Sequence, residues 1–256
     1  MTTIGSLFSG IGGLELGVER ATGGTTIWQA ESNLFARSVL ERHWPGARRY
    51  DDVRQIDETT QRPDIICGGF PCQDISSAGN QAGIQGPKSG LWSEFARIVG
   101  VLRPRFVYIE NVAALATNGL HRVLADLAAL RFDAQWDTLG ACCVGAPHQR
   151  ERMFILASDP DRNRESAGAV DAREASRLQS MAANANGEFV REQQEQEQRG
   201  SSTAIAAHHR GWAAESGIRR VADGIPSRVD MLRCIGNAVV PQQAELAWEL
   251  LTRRMR

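Results

Sequence analysis

Apolar positions along the chain fall into two alternating patterns. Runs of four or five bounded by glycine or an acid read as buried strands, and stretches with apolar residues every three or four positions read as core-facing helices. Ile4-Gly5-Ser6-Leu7-Phe8 is a first strand, broken by Ser9-Gly10-Ile11-Gly12-Gly13, after which Leu14, Leu16, Val18 and Ala21 predict a helix. Thr26-Ile27-Trp28-Gln29-Ala30 is a second strand ending at Glu31, a third ends before Asp52, and Asp64-Ile65-Ile66-Cys67 is a fourth. Leu91, Phe95, Ile98, Val99 and Leu102 share one side of a helix that Pro104 limits, and Phe106-Val107-Tyr108-Ile109 is the strand after it. Leu120, Val123, Leu124, Leu127 and Leu130 form the stripe of a core helix, Met153-Phe154-Ile155-Leu156-Ala157 is a further strand, and Ala244, Leu246, Ala247, Leu250 and Leu251 mark a last helix. Strands alternating with helices predict an α/β fold.

From Ser158 to about Val229 the pattern fails. No long apolar run occurs, and Glu192-Gln193-Gln194-Glu195-Gln196-Glu197-Gln198-Arg199 is low in complexity, as in a solvated helix or a disordered tip. His208-His209-Arg210-Gly211-Trp212 to Arg219-Arg220 mixes basic and aromatic residues, which suits a DNA-reading surface and equally an exposed loop. Order resumes at Met231 and runs through Gly236-Asn237-Ala238-Val239-Val240-Pro241.

Composition alters this picture little. The chain of 256 residues is 42% hydrophobic and 23% charged, the balance of an ordinary globular protein. No apolar run is long enough to span a bilayer, so no membrane partner is expected. Met1-Thr2-Thr3-Ile4-Gly5 has no basic segment followed by an apolar one, so no signal peptide is expected and the location is read as cytoplasmic. The five cysteines form no CxxC pair, which argues against a zinc site, and their odd number suits a reducing compartment. The net charge of −1 excludes a global polycation, yet Lys88 is the one lysine among 29 Lys and Arg residues. Arginine suits bidentate phosphate and guanine contacts, and a GC-rich coding sequence would produce the same bias.

Candidate chemistry clusters at strand ends. Strand, glycine turn and helix N-terminus over Ile4–Val18 form a crossover that receives a nucleotide-like ligand. Glu31, about 20 positions on, stands where a Rossmann-like unit binds a ribose hydroxyl, and Asp52 could bind an adenine amino group; each acid could instead be a solvated cap. Gly68-Gly69-Phe70-Pro71-Cys72 presents one thiol on a stiff turn, as a nucleophile or as a small core residue. Gly79 to Gly90 carries four glycines and a proline and reads as a loop or lid. Glu110 adds a titratable group at the next strand end. Arg150 and Arg152, if extended, point to the same side and could reach one anion or carbonyl.

Taken together these pieces resemble the cytosine-C5 DNA methyltransferases of the compact bacterial and phage type. The matching segments are Phe8-Ser9-Gly10-Ile11-Gly12-Gly13, Glu31, Asp52-Val53, Gly68 to Cys72, Ser89-Gly90-Leu91-Trp92, Glu110-Asn111-Val112, Gln149-Arg150-Glu151-Arg152 and Gly236 to Pro241, in the family's order. The resemblance implies a Rossmann-like S-adenosylmethionine-dependent sheet with helices on both faces, spanning 1–157 and completed by 228–256. A small irregular target-recognition region would occupy 158–227. It implies Cys72 as the nucleophile that adds to cytosine C6, Glu110 as the holder of a proton against N3, and Arg152 with Arg150 beside it at the cytosine O2. Phe8, Gly10, Ile11, Gly12 and Gly13 would line the cofactor site, with Glu31 at the ribose and Asp52 and Val53 at the adenine. Pro71, Leu91, Asn237 and Ala238 would form the remaining walls. Gln73, Ser76 and Lys88, on a glycine-rich lid spanning Gln73–Gly90, would meet the DNA.

The cofactor so implied is S-adenosyl-L-methionine, with S-adenosyl-L-homocysteine as product and no metal. The partner is double-stranded DNA with one cytosine flipped out. A monomer and a cognate restriction endonuclease fit the same resemblance. Ser32 and His148 depart from residues common in the family, and neither removes a reacting group. Two other readings are a transfer RNA cytosine methyltransferase and a catalytically silent DNA-binding relative. The first branch carries a Cys-Phe-Thr stretch that this chain lacks, and the intact Cys72, Glu110 and Arg152 argue against the second.

Overall fold

The computed structural model describes residues 1–71, 91–164 and 228–255. Cys72, Gln73, Ser76, Lys88, the glycine-rich lid and most of the polar region therefore lie outside the described residues. Contacts divide the chain into two compact units, Met1–Pro160 with Gly217–Arg256, and Asp161–Ser216. In the second unit the described residues are 161–164, within a short helix over Pro160–Arg164.

The first unit is built on a sheet of seven strands: β1 (Thr3–Leu7), β2 (Thr25–Ala30), β3 (Arg48–Tyr50), β4 (Ile65–Gly68), β5 (Phe106–Val112), β6 (Asp133–Leu139) and β7 (Arg152–Ser158). Their spatial order is β3-β2-β1-β4-β5-β7-β6. The first five are mutually parallel, and β7 runs antiparallel to both its neighbours. Helices α1 (Gly13–Thr22), α2 (Leu34–His43), α3 (Leu91–Leu102), α4 (Leu115–Asn118) and α5 (Leu120–Ala129) connect the strands; α6 is Pro160–Arg164, and α7 (Arg228–Asn237) and α8 (Pro241–Arg254) follow the insert.

Both faces of the central strands are buried, which is why they are legible as continuous apolar runs. In β5, Val107 and Ile109 enter the cluster that α3 and α5 cover, while Tyr108 enters the other. In β7, Met153, Ile155 and Ala157 face the first cluster, and Phe154 and Leu156 the second. The second cluster is closed by Leu14 and Val18 of α1 and by Ala244, Ala247, Trp248 and Leu251 of α8. Tyr108 stacks on Phe154, meets Trp248 edge-on, and donates its hydroxyl to the Ala244 carbonyl at 2.7 Å. The last helix in sequence is thus part of the central layer, and the chain must return from the insert to complete its own core.

The observed elements depart from the expected ones in several places. Strand β5 runs through Glu110 to Val112, so the acid lies inside a strand and not at its end. Strand β6 was not expected: Asp133, Gln135, Asp137 and Thr138 leave no apolar run, as suits an edge strand with no fully buried residue. Helix α7 was also unexpected, since Val229, Leu232 and Ile235 are exposed and its sequence carries no core-facing stripe.

Candidate active site

After β1 the chain moves to one side of the sheet through β2 and β3, and after β3 it returns to the other side through β4 and β5. Such a reversal opens a crevice beyond the carboxyl ends of the two central strands. The cleft there has a volume of about 670 Å³.

Its first half is made by the turn after β1. Phe8, Gly10 and Gly12 all have positive φ, and the Ser9 N–H donates to the Ala30 carbonyl at 3.1 Å, so the turn is stitched to β2. Gly12 must be glycine twice over: its φ is 90°, and a Cβ there would lie 2.3 Å from the Trp44 ring. A Cβ on Gly13 would meet the Val239 carbonyl oxygen at 2.4 Å, so the second glycine lets the segment after α7 dock on the turn. Glu31 bridges two backbone amides: the Gly10 N–H donates to its Oε2 and the Asn33 N–H to its Oε1, each at 2.8 Å. Asn33 then caps α2 by accepting from the Ala36 N–H at 2.9 Å. Asp52 caps the turn Val53–Gln55, accepting from the Arg54 N–H at 2.9 Å, and also lines the cleft. For this acid the capping and the cleft-lining readings hold together.

Beneath the turn lies a polar layer that the sequence does not signal. Glu15 is fully buried and accepts from Gln29 Nε2 at 3.3 Å, and Ser9 donates its hydroxyl to Ser6 at 2.9 Å. Burial pushes the Glu15 carboxyl above its ordinary range, against the opposing hydrogen bonds of Ser6, Ser9 and Gln29.

The second half of the cleft belongs to β4, β5 and β7. Glu110 Oε1 faces Arg152 Nε at 3.0 Å, and a Cβ on Gly69 would lie 3.0 Å from Glu110 Oε2. Glycine at the end of β4 therefore leaves the space the carboxylate occupies. Asn111 donates its side-chain amide to the Phe70 carbonyl at 3.2 Å, tying the turn that leads to Cys72 back to β5. Phe70 is buried against Trp92 of α3. Glu110 is only 9% exposed. Burial pushes its carboxyl up to about 7, although Arg152 and then Arg150 pull the other way. A group poised there exchanges a proton near neutrality. Cys67, five residues before Cys72, is a core thiol, pushed well above its ordinary range by burial first and by the Glu15 charge second.

Phe8, Gly10, Ile11, Gly13, Glu31, Asp52, Val53, Pro71, Leu91, Glu110, Arg152, Asn237 and Ala238 all line this cleft. Gly12 does not; it lines a smaller cavity behind the turn, beside His43 and Trp44. Arg150 does not either, and it corrects the expectation that both guanidiniums face one target. That expectation needs an extended backbone, but Arg150 has a φ of 31°. Its Nη1 donates to the Gly236 carbonyl at 2.9 Å and its Nη2 to the Ala238 carbonyl at 2.6 Å. No group of three or more His, Cys, Asp or Glu that could hold a metal occurs among the described residues.

The family pattern of C-5 cytosine-specific DNA methylase matches residues 2–220, most of the chain. The chain belongs to that family. Among characterised proteins, the type II methyltransferase M2.BsuMI of Bacillus subtilis is 37% identical over 164 residues, which is 60% of this chain and 41% of that protein. The type II methyltransferase M.HhaI of Haemophilus parahaemolyticus is 33% identical over 162 residues, 61% of this chain and 49% of that protein. The chain thus spans about half the length of the curated relatives it matches. Among solved structures, the Entamoeba histolytica methyltransferase EhMeth superposes with a TM-score of 0.54 over 62% of this chain and 53% of that one; at 19% identity the likeness concerns the fold alone.

The residues alone do not show Asn111 as the tether of the Phe70–Pro71 turn or Gln243 as a buried donor. Asn111 carried a signal, its place beside Glu110. Gln243 carried none, since an amide in the first turn of a helix is usually solvent-facing.

Proposed function

We propose that the protein methylates C5 of cytosine in double-stranded DNA, with S-adenosyl-L-methionine as methyl donor and S-adenosyl-L-homocysteine as product. The observation that carries this reading is the buried Glu110–Arg152 pair facing the same cleft as the glycine turn. The residues present fit the nucleoside. The cleft lies in the roughly 300–1,000 Å³ range of small-molecule sites. Glu31, read as the ribose ligand, is held by two backbone amides, and Gly10 has open space where a Cβ would stand. Asp52 and Val53 would meet the adenine, and Pro71, Leu91, Asn237 and Ala238 would close the walls.

Cytosine C5 is a poor nucleophile until a group adds at C6. Cys72, the residue after Pro71, is read as that group: its thiolate bonds to C6, and the ring electron pair moves toward C5 and N3. Glu110 in its protonated form donates to N3 and offsets the charge arriving there. The Arg152 guanidinium holds Glu110 and reaches the cytosine O2. The bound sulfonium nucleoside supplies the methyl group. A solvent base then takes the C5 proton, and the pair left at C5 forms the C5–C6 double bond as the C6–S bond breaks, releasing the Cys72 thiolate and restoring the aromatic ring.

The base must leave the helix to reach these groups, at a cost of a few kcal/mol. The lid with Gln73, Ser76 and Lys88 is read as the DNA contact, and 158–227 as the target-recognition region beside a catalytic unit of 1–157 and 228–256. The protein is read as a monomer acting in the cytoplasm, with a cognate restriction endonuclease as a compatible partner. Bisulfite sequencing of a plasmid co-expressed with the protein tests this. Methylated cytosines in one sequence context are expected; an unmethylated plasmid beside folded, nucleoside-binding protein overturns it.

A further inference from the structure

Arg150 and Arg152 are two residues apart and serve different sides of the cleft. Arg152 meets Glu110, whereas Arg150 spreads its guanidinium over the carbonyls of Gly236 and Ala238. Those carbonyls flank Asn237, and Asn237 and Ala238 line the cleft on the nucleoside side. Arg150 is also held from behind. Gln243 of α8 is fully buried and donates through Nε2 to the Arg150 carbonyl at 3.2 Å and to the Leu139 carbonyl at 2.8 Å. Leu139 is the cross-strand partner of Arg152 in the β6–β7 ladder. One amide therefore fastens both the residue two before Arg152 and the residue beside it. Burying an amide costs free energy unless carbonyls require its protons, and here two do. Arg150 Nε and Gln243 Oε1 remain buried without a hydrogen-bond partner, a spare donor and acceptor at the same junction.

We propose that Gln243 and Arg150 are positioning residues that clamp the Asn237–Ala238 wall to the Glu110–Arg152 pair, so that filling the nucleoside half of the cleft sets the geometry of the base half. The inference rests on the proposed reading of the cleft as nucleoside and base site. A guanidinium with two carbonyl partners is a rigid fork, which a flexible ammonium does not reproduce. Movement of the wall therefore reaches the backbone that carries Arg152. Coupling of this kind is reciprocal: the nucleoside raises affinity for the DNA by the factor that the DNA raises affinity for the nucleoside.

Two measurements on the full chain test the clamp, using Gln243→Met, which keeps length and loses both donors, and Arg150→Lys, which keeps charge and loses the fork. The first is amide hydrogen exchange without ligand. Exchange should accelerate at least about threefold at both 149–153 and 236–239 in each variant; unchanged exchange at 149–153 overturns the clamp. The second compares affinity for a cytosine-containing duplex with and without S-adenosyl-L-homocysteine. The wild-type ratio should lie in the roughly 5–150-fold range of ordinary coupling and fall at least threefold in Gln243→Met. A residue that merely supports the fold would weaken both affinities and leave their ratio intact, and that result overturns the proposal. A wild-type protein that binds no nucleoside would count against the proposed function, and the exchange measurement would still decide the clamp.

Discussion

Glu31 and Glu110 line the same cleft, one just after β2 and one inside β5, and they are held in opposite ways. Glu31 is partly exposed, and both its oxygens accept backbone N–H groups, from Gly10 and Asn33. Glu110 lies under the sheet's edge of the cleft, almost without solvent, against one guanidinium. Two backbone amides fix the orientation of the Glu31 carboxyl beside the cleft. Burial, only partly offset by the guanidiniums of Arg152 and Arg150, leaves the Glu110 carboxyl ready to keep or release a proton at about 7. On the proposed function, the two environments divide the work, with one acid holding the nucleoside and the other a proton.

The comparison breaks most visibly at Glu110. Glu110→Gln keeps the shape and loses the acid, so methyl transfer under single turnover should fall by roughly 10²–10⁴-fold, the usual worth of a positioned proton donor. Nucleoside binding, followed by titration calorimetry, should change less than about threefold. In the unmodified protein the rate should decline above about pH 7, because the active form of Glu110 is the protonated one. A rate that rises through that range in the wild type and not in Glu110→Gln would show that the acid acts as a base.

The converse change is smaller and of another kind. Glu31→Ala should weaken nucleoside binding by roughly 10–100-fold, as expected for losing charge-assisted hydrogen bonds. The rate at saturating nucleoside should change far less. A fall in maximal rate without a change in apparent affinity would assign Glu31 to the chemistry and end the division of labour.

The smallest effect is on stability. A carboxyl whose pKa is raised by folding binds its proton more tightly in the folded state. Its contribution is complete below the ordinary value near 4.5 and is lost as pH rises to about 7. Glu110→Gln removes this loss. Its melting temperature relative to wild type should therefore climb between pH 5 and pH 8, by an amount corresponding to at most about 3 kcal/mol. A difference that is flat with pH would mean that Glu110 is charged throughout.

Much of this arrangement is legible in the residues. Strands β4, β5 and β7 can be read because both faces are covered, and the glycine turn can be read because positive φ and close approach leave few other residues possible. Edge strand β6 cannot, since its half-exposed alternation resembles a loop. Arg150 shows a different limit. Spacing places it beside Arg152 only if the backbone is extended, and one residue at a φ of 31° turns its side chain to carbonyls 86 and 88 positions away. Gln243 is hidden for the same reason, because its partners Leu139 and Arg150 are distant in sequence and adjacent only after β6, β7 and α8 have packed. Long-range polar contacts leave no periodicity for a sequence to display.

The central claim is that the thiol following Pro71 attacks a cytosine whose N3 is held by Glu110. It is tested most directly by incubating the protein and S-adenosyl-L-methionine with a duplex whose cytosines carry fluorine at C5, which blocks the final loss of a proton, and then mapping the digested product by mass spectrometry. The account predicts a covalent DNA adduct on the peptide containing Cys72, absent in Cys72→Ala and strongly diminished in Glu110→Gln. An adduct on another cysteine, or none under conditions where the protein methylates ordinary cytosine, would contradict it.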